Sequence, residues 1–208
     1  MVFLIGYFLF LLVFYVPPRK NRGNEKINLP KGEIYEPFWD QMQEWVIKSR
    51  KTHHVEFTIT SFDGLKLYGN FYEYAPDAPI ELMFHGYRGT AERDLSGGVQ
   101  RCFQLGHSAF IVDQRCAGKS EGNVITFGIN EYKDCLAWIN FLIAQLGDDV
   151  QIILTGISMG ASTVLMASGC NLPDNVIGIL ADCGFSSAKD IIKTVIRQMG
   201  IPADLGYP

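Results

Sequence analysis

Val150-Gln151-Ile152-Ile153-Leu154-Thr155 is a short apolar run rich in β-branched residues. It leads without a break into Gly156-Ile157-Ser158-Met159-Gly160-Ala161 and a helical stretch, Met159–Gly169. A strand that turns into a helix through G-x-S-x-G is a nucleophile elbow, in which the serine is held in a strained backbone conformation. Side chains two residues before and after it would collide there, so both positions must be small. Gly156 and Gly160 meet that demand, which makes Ser158 the candidate nucleophile. The competing reading of the same letters is a Gly-rich helix start with a capping serine. The position between a strand and a helix favours the elbow.

The same alternation extends to both sides. Val55–Thr60 alternates with period two, Asp63-Gly64 supplies a turn, and Leu65–Tyr74 alternates again, which predicts an antiparallel hairpin. Strands are expected at Ile80–Phe84, Ala109–Asp113, Val150–Thr155 and Val176–Ala181. Helices are expected at about Gly98–Leu105, Asn130–Leu146, Met159–Gly169 and Ser187–Met199. A hairpin followed by repeated strand–helix units predicts an α/β fold with a mostly parallel sheet covered on both faces. Chemistry on such a sheet gathers at the carboxyl ends of the strands.

Phe84-His85-Gly86-Tyr87-Arg88-Gly89 stands at one of those ends. A serine acyl-transfer site needs two preorganised N–H donors for the tetrahedral oxyanion. Met159 follows the nucleophile at the positive end of a helix and offers one; Tyr87 is the best backbone candidate for the other. These segments, together with Asp113-Gln114-Arg115 and Gly118-Lys119-Ser120-Glu121-Gly122, resemble α/β-hydrolases of the serine aminopeptidase and BEM46-like type. Ile179–Phe185 resembles a membrane-anchored bacterial branch of that group. The resemblance covers Val55 to Met199 and departs from the family at Cys116-Ala117. It implies an α/β-hydrolase fold with a Ser…acid…His order, His85 belonging to the oxyanion loop. The acid and the His would then follow Met199, where only Gly200–Pro208 remain. The expectation is a domain cut before its last strands and little or no turnover from this chain. Asp182 could be a variant acid, with capping of the next helix as the structural alternative; Asp113 and Arg115 are expected to pair or cap within their loop.

Composition bounds the rest. The 208 residues carry 18 Lys+Arg and 22 Asp+Glu, a net charge of −4, with no charge before Arg19. The absence of a basic cluster argues against nucleic acid as a partner. Aromatic and β-branched content excludes disorder. Gly118-Lys119-Ser120 resembles the end of a phosphate loop, but Asp113 stands where G-x-x-x-x-G-K-[ST] requires Gly, so no nucleotide is expected. Cys102, Cys116, Cys135, Cys170 and Cys183 form no C-x-x-C pair and read as free thiols, with no metal or other cofactor. Val2–Val16 is apolar except for Gly6, and reads as a membrane anchor or, alternatively, a buried core helix. Arg19, Lys20 and Arg22 follow it, which by the positive-inside rule puts the remainder in the cytoplasm. Asn21–Lys31 reads as a linker, and Glu33–Arg50 as an amphipathic helix lying on the membrane or packed on the domain.

The expected organisation is thus an anchor segment (1–18), a linker and amphipathic helix (19–50) and the N-terminal part of an α/β-hydrolase domain (51–208). The expected function is a serine hydrolase acting on a small-molecule ester, thioester or amide. The alternative is a non-catalytic, membrane-tethered module of the same fold that binds or scaffolds.

Overall fold

A computed structural model describes residues 2–17, 27–30, 32–198 and 200. Six strands form one sheet: β1 (Val55–Thr60), β2 (Lys66–Tyr72), β3 (Ile80–Phe84), β4 (Ser108–Asp113), β5 (Ile152–Ile157) and β6 (Val176–Asp182). Their order across the sheet is β1-β2-β4-β3-β5-β6. β1 and β2 form the expected antiparallel hairpin, and β2 lies antiparallel to β4. β4, β3, β5 and β6 run parallel. The hairpin turn is built by Ser61, whose hydroxyl donates to Asp63 Oδ1 at 2.6 Å and accepts from the Leu65 N–H at 2.8 Å. Gly64 supplies the positive φ (88°) that the turn needs.

β3 is central and buried along its whole length. Because successive strand residues point to opposite faces, it feeds two cores. Leu82 and Phe84 join Phe110 and Leu154 beneath α4 (Glu131–Leu146) and α5 (Met159–Ser168), with Trp138 at the centre. Met83 and Ile111 face the other way, against Leu95, Val99 and Cys102 of α3 (Ala91–Gln104).

α3 begins seven residues before the expected Gly98. Thr90 caps it, its side chain accepting from the Arg93 N–H at 3.2 Å, and Glu92 and Asp94 sit in the first turn. Gly97 and Gly98 both lie well inside the helix. A β-carbon at Gly97 would come within 2.7 Å of the Trp45 ring, and one at Gly98 within 2.9 Å of the Met83 sulfur. Packing density, rather than helix propensity, fixes those two positions. Trp45 belongs to α2 (Trp39–Lys51), which packs on α3 and is tied to it by an Arg50–Glu92 ion pair at 2.7 Å. The helix expected over Glu33–Arg50 is therefore a short 3₁₀ turn, Glu36–Phe38, followed by a helix held by the domain.

The expected span Val2–Val16 is a helix of 12 residues, α1 (Val2–Val13). No helix among the described residues is long and apolar enough to cross a membrane. Its C-terminal end is packed: Val13 is 1% exposed, in a cluster with Phe127 and with Ile192 and Ile196 of α6 (Ala188–Gln198). Its other parts expose Leu4, Tyr7 and Phe8. Arg19, Lys20, Arg22 and most of the expected linker lie outside the described residues, as do Met199 and residues 201–208.

Candidate active site

β5 runs on past Thr155 through Gly156 and Ile157, pairing with Ala181 and Asp182 of β6, and delivers Ser158 to the start of α5. Ser158 has φ 52° and ψ −115°, a conformation that a non-glycine residue keeps only when its surroundings impose it. Three contacts do so. The Ser158 N–H donates to the Asp182 carbonyl at 2.9 Å. A β-carbon at Gly156 would overlap the Gly160 carbonyl, and one at Gly160 would overlap the Phe84 carbonyl. The two glycines read from the sequence are thus sterically required, and Ser158 is no ordinary capping serine, since its side chain makes no capping bond.

The loop after β3 lies against this elbow. A β-carbon at Gly86 would stand 3.6 Å from Ser158 Cβ and 3.6 Å from Asp94 Oδ2. Gly86-Tyr87-Arg88-Gly89 closes as a turn, the Gly89 N–H donating to the Gly86 carbonyl at 3.0 Å, with Arg88 at φ 54°. Asp94 Oδ2 holds the turn from below by accepting from the Gly86 N–H at 3.3 Å. Tyr87 packs into the cluster that contains Met159. Among the described residues, no hydrogen bond takes up the backbone N–H of either Met159 or Tyr87.

His85 is 1% exposed and both ring nitrogens are engaged. Nε2 accepts from the Gln114 N–H at 3.0 Å, so Nδ1 carries the proton and donates to the Gly86 carbonyl at 2.8 Å. Burial holds its pKa below the ordinary histidine value, against the pull of Asp113 and Asp94. A neutral ring with no spare nitrogen braces the loop and cannot serve as a base. The other histidines are engaged elsewhere: His53 and His54 precede β1, with the His54 ring tilted against Tyr72 at 4.9 Å between centroids, and His107 bonds Glu81 at 2.9 Å.

Gln114 was not singled out by sequence reasoning and is the cross-link of the site. Its Nε2 donates to the His85 carbonyl at 2.6 Å, and its Oε1 accepts from Thr163 Oγ1 of α5 at 3.1 Å. One buried amide thereby joins the loop after β3 to α5, the helix that follows Ser158. Of the residues flanking Gln114, Asp113 caps within its loop, one of the two expected outcomes, whereas Arg115 pairs outside it. Asp113 accepts the N–H groups of Ala91 (2.9 Å) and Lys119 (2.9 Å). Arg115, with a side chain 3% exposed, makes a double bond pair with Asp134 (2.7 and 2.8 Å) and reaches Asp63 at 2.9 Å. Asp182 does not cap the next helix; Ser187 does, accepting from the Asp190 N–H at 3.2 Å. Ser120 hydrogen-bonds the Asp113 carbonyl and the Tyr68 N–H, so Gly118-Lys119-Ser120 is a structural loop.

The five cysteines are free; Cys102, Cys116 and Cys135 are buried, Cys170 is half-buried and Cys183 is exposed. Burial pushes the Cys116 thiol, near the site, up to about 12, which makes it unreactive at neutral pH.

Comparison with solved structures decides the architecture. A Pyrococcus furiosus esterase, Pf2001, superposes with a TM-score of 0.66 at 21% identity, over 93% of this chain and 66% of that one. An α/β-hydrolase from Penicillium sp. sh18, GrgF, superposes at 0.59 and 19% identity, over 71% of this chain and 52% of the other. The fold is that of the α/β-hydrolases. The chain is also similar to a curated bacterial protein, the uncharacterised YqkD of Bacillus subtilis strain 168, at 28% identity over 143 residues, 68% of this chain. It spans 46% of the length of that relative. No protein-family model matches it.

Proposed function

We propose that the protein is a serine hydrolase that cleaves a carboxylic ester, thioester or amide. The observation that carries this reading is Ser158, held at positive φ on a strand-to-helix turn, while no hydrogen bond among the described residues takes up the Met159 or Tyr87 N–H. In the proposed reaction Ser158 Oγ attacks the acyl carbonyl. Its oxygen takes negative charge and is held by the N–H groups of Met159 and Tyr87, the first reinforced by the α5 dipole. Similarity in fold to an esterase supports this chemistry, as does the resemblance of the His85-Gly86 and Gly156–Gly160 segments to the BEM46-like serine aminopeptidase group.

A serine without a positioned base is a weak nucleophile, and none of the four histidines fills that role. A protein of residues 1–208 alone is therefore expected to turn over little or nothing. A longer protein that supplied a His and an acid at Ser158 is expected to react with a fluorophosphonate probe and to lose labelling in Ser158→Ala. Equal labelling of wild type and variant would remove Ser158 as nucleophile. The full engagement of His85 also favours a second reading, a non-catalytic module of this fold that binds acyl compounds; it predicts binding without labelling.

We also infer that the protein attaches to a membrane surface through α1. Uncharged over its length, α1 exposes Leu4, Tyr7 and Phe8, and Arg19, Lys20 and Arg22 follow in sequence, a pattern suited to an interface and to a cytoplasmic face. Co-sedimentation with anionic phospholipid vesicles is expected, and Phe8→Asp should weaken it; equal sedimentation of the two would overturn the inference.

A further inference from the structure

We propose that the N-terminal segment is a working part of the site, in which the strap Tyr15-Val16-Pro17 walls a binding cavity for an aliphatic acyl chain. The proposal rests on the hydrolase reading above and names a substrate class for it. A cavity of about 340 Å³ lies beside Met159 and the Arg88-Gly89 turn, within the size range of small-molecule sites. Val16 and Pro17 of the strap form one wall, with Cys116, Ala117, Ile125 and Met159 on the others. Val16 packs against the buried cluster of Cys116, Ile125 and Met159, so strap and elbow share one apolar surface.

The strap is bonded on both sides. The Val16 N–H donates to the Asn123 carbonyl at 2.8 Å and the Ile125 N–H to the Phe14 carbonyl at 2.9 Å, with Tyr15 bridging Val124 in a short antiparallel ladder. From the other side, Arg88 Nη2 donates to the carbonyls of Leu12 (2.8 Å) and Tyr15 (3.3 Å), and Tyr87 Oη donates to the Val13 carbonyl at 2.5 Å. Carbonyls in the last turn of a helix lack intrahelical partners, and a cation there opposes the helix dipole. The turn that carries the second oxyanion donor is thus also the cap of α1.

The lining chemistry selects an aliphatic ligand. Arg115 commits four of its five N–H donors to Asp134 and Asp63, and His85 is neutral with both nitrogens engaged. Arg88 is drawn toward the α1 carbonyls. Beside these engaged polar groups, the cavity is lined by the apolar side chains of Val16, Pro17, Cys116, Ala117, Ile125 and Met159. An acyl chain seated against Val16 and Ile125 would bring its carbonyl toward Met159.

Binding can be read without turnover, in the Ser158→Ala protein, by calorimetric titration with straight-chain carboxylates from butyrate to dodecanoate. Affinity is expected to rise roughly fourfold per methylene until the cavity is full. Val16→Trp and, independently, Pro17→Trp should weaken dodecanoate binding by about tenfold or more, with the far-ultraviolet circular dichroism of the wild type retained. Leu4→Ser, on the exposed side of α1, should leave binding unchanged. Affinity independent of chain length, or unaffected by both cavity-filling variants in folded protein, would overturn the proposal. Chain-length-dependent binding without fluorophosphonate labelling would overturn the hydrolase reading alone.

Discussion

His85 and Gln114 show how a single pair of residues sets the geometry around the Ser158 turn. The imidazole accepts one N–H and donates to one carbonyl, a pattern available only to the neutral Nδ1-protonated ring. Protonating Nε2 would place a donor against the Gln114 N–H. The folded pKa therefore lies below the value of about 6.5 expected in the unfolded chain. Below that pH the unfolded state binds the proton more readily than the folded state, so stability rises with pH through this window. His85 should contribute fully above about pH 6.5, and its contribution should fall with decreasing pH by at most about 1.4 kcal/mol per unit. Denaturant unfolding between pH 5 and 8 checks this: the slope below pH 6.5 should flatten in His85→Gln, and an unchanged slope would refute it. The elbow was legible because its steric demand leaves two glycines at fixed spacing. The Gln114 bridge was not. It joins segments 29 and 49 residues away through side-chain bonds that impose no periodicity and no composition on the sequence.

At the scale of elements, helix α3 carries the same lesson with opposite sign. A Gly-Gly pair lowers helix propensity by about 1 kcal/mol per residue, and the helix was expected to start only at about Gly98. The actual helix runs through both glycines because the ring of Trp45 and the thioether of Met83 occupy the space that β-carbons would take. Gly97→Val, although better than glycine for helix formation in isolation, should push α2 off α3. Faster amide hydrogen exchange over Trp39–Lys51 is expected, with a loss of about 1–3 kcal/mol in stability; unchanged exchange would contradict this packing account. The strands were read to within two residues, β1 and β2 from period-two alternation and β3 to β6 as short apolar runs, of which β3 and β4 are buried on both faces and β5 begins and ends two residues later than expected. The N-terminal segment was not, because an apolar stretch looks alike whether lipid or protein covers it. Only the structure shows Val13 seated against Phe127 and α6 while Leu4, Tyr7 and Phe8 stay exposed.

Across the whole molecule, the carboxyl ends of β3, β4, β5 and β6 meet at one margin of the sheet, where His85, Gln114, Ser158 and Asp182 stand. The sheet is well covered at its centre and open at β6, whose Ile177 and Leu180 are 52% and 46% exposed. An apolar strand with one edge unpaired among the described strands is a template for further strand pairing. Protein of residues 1–208 should self-associate with rising concentration in sedimentation velocity, and Leu180→Lys should suppress that association; a monomer at all concentrations would refute it. The seating of α1 has a different consequence, in time rather than in space. Val13 packs on Phe127, Ile192 and Ile196, residues made more than a hundred positions later in the chain. At roughly 5–20 residues per second, the first helix leaves the ribosome many seconds before its docking surface exists. Throughout that interval its apolar face is open to whatever else can cover it, so under the proposed membrane attachment lipid would have the first claim on a helix that the finished domain later holds.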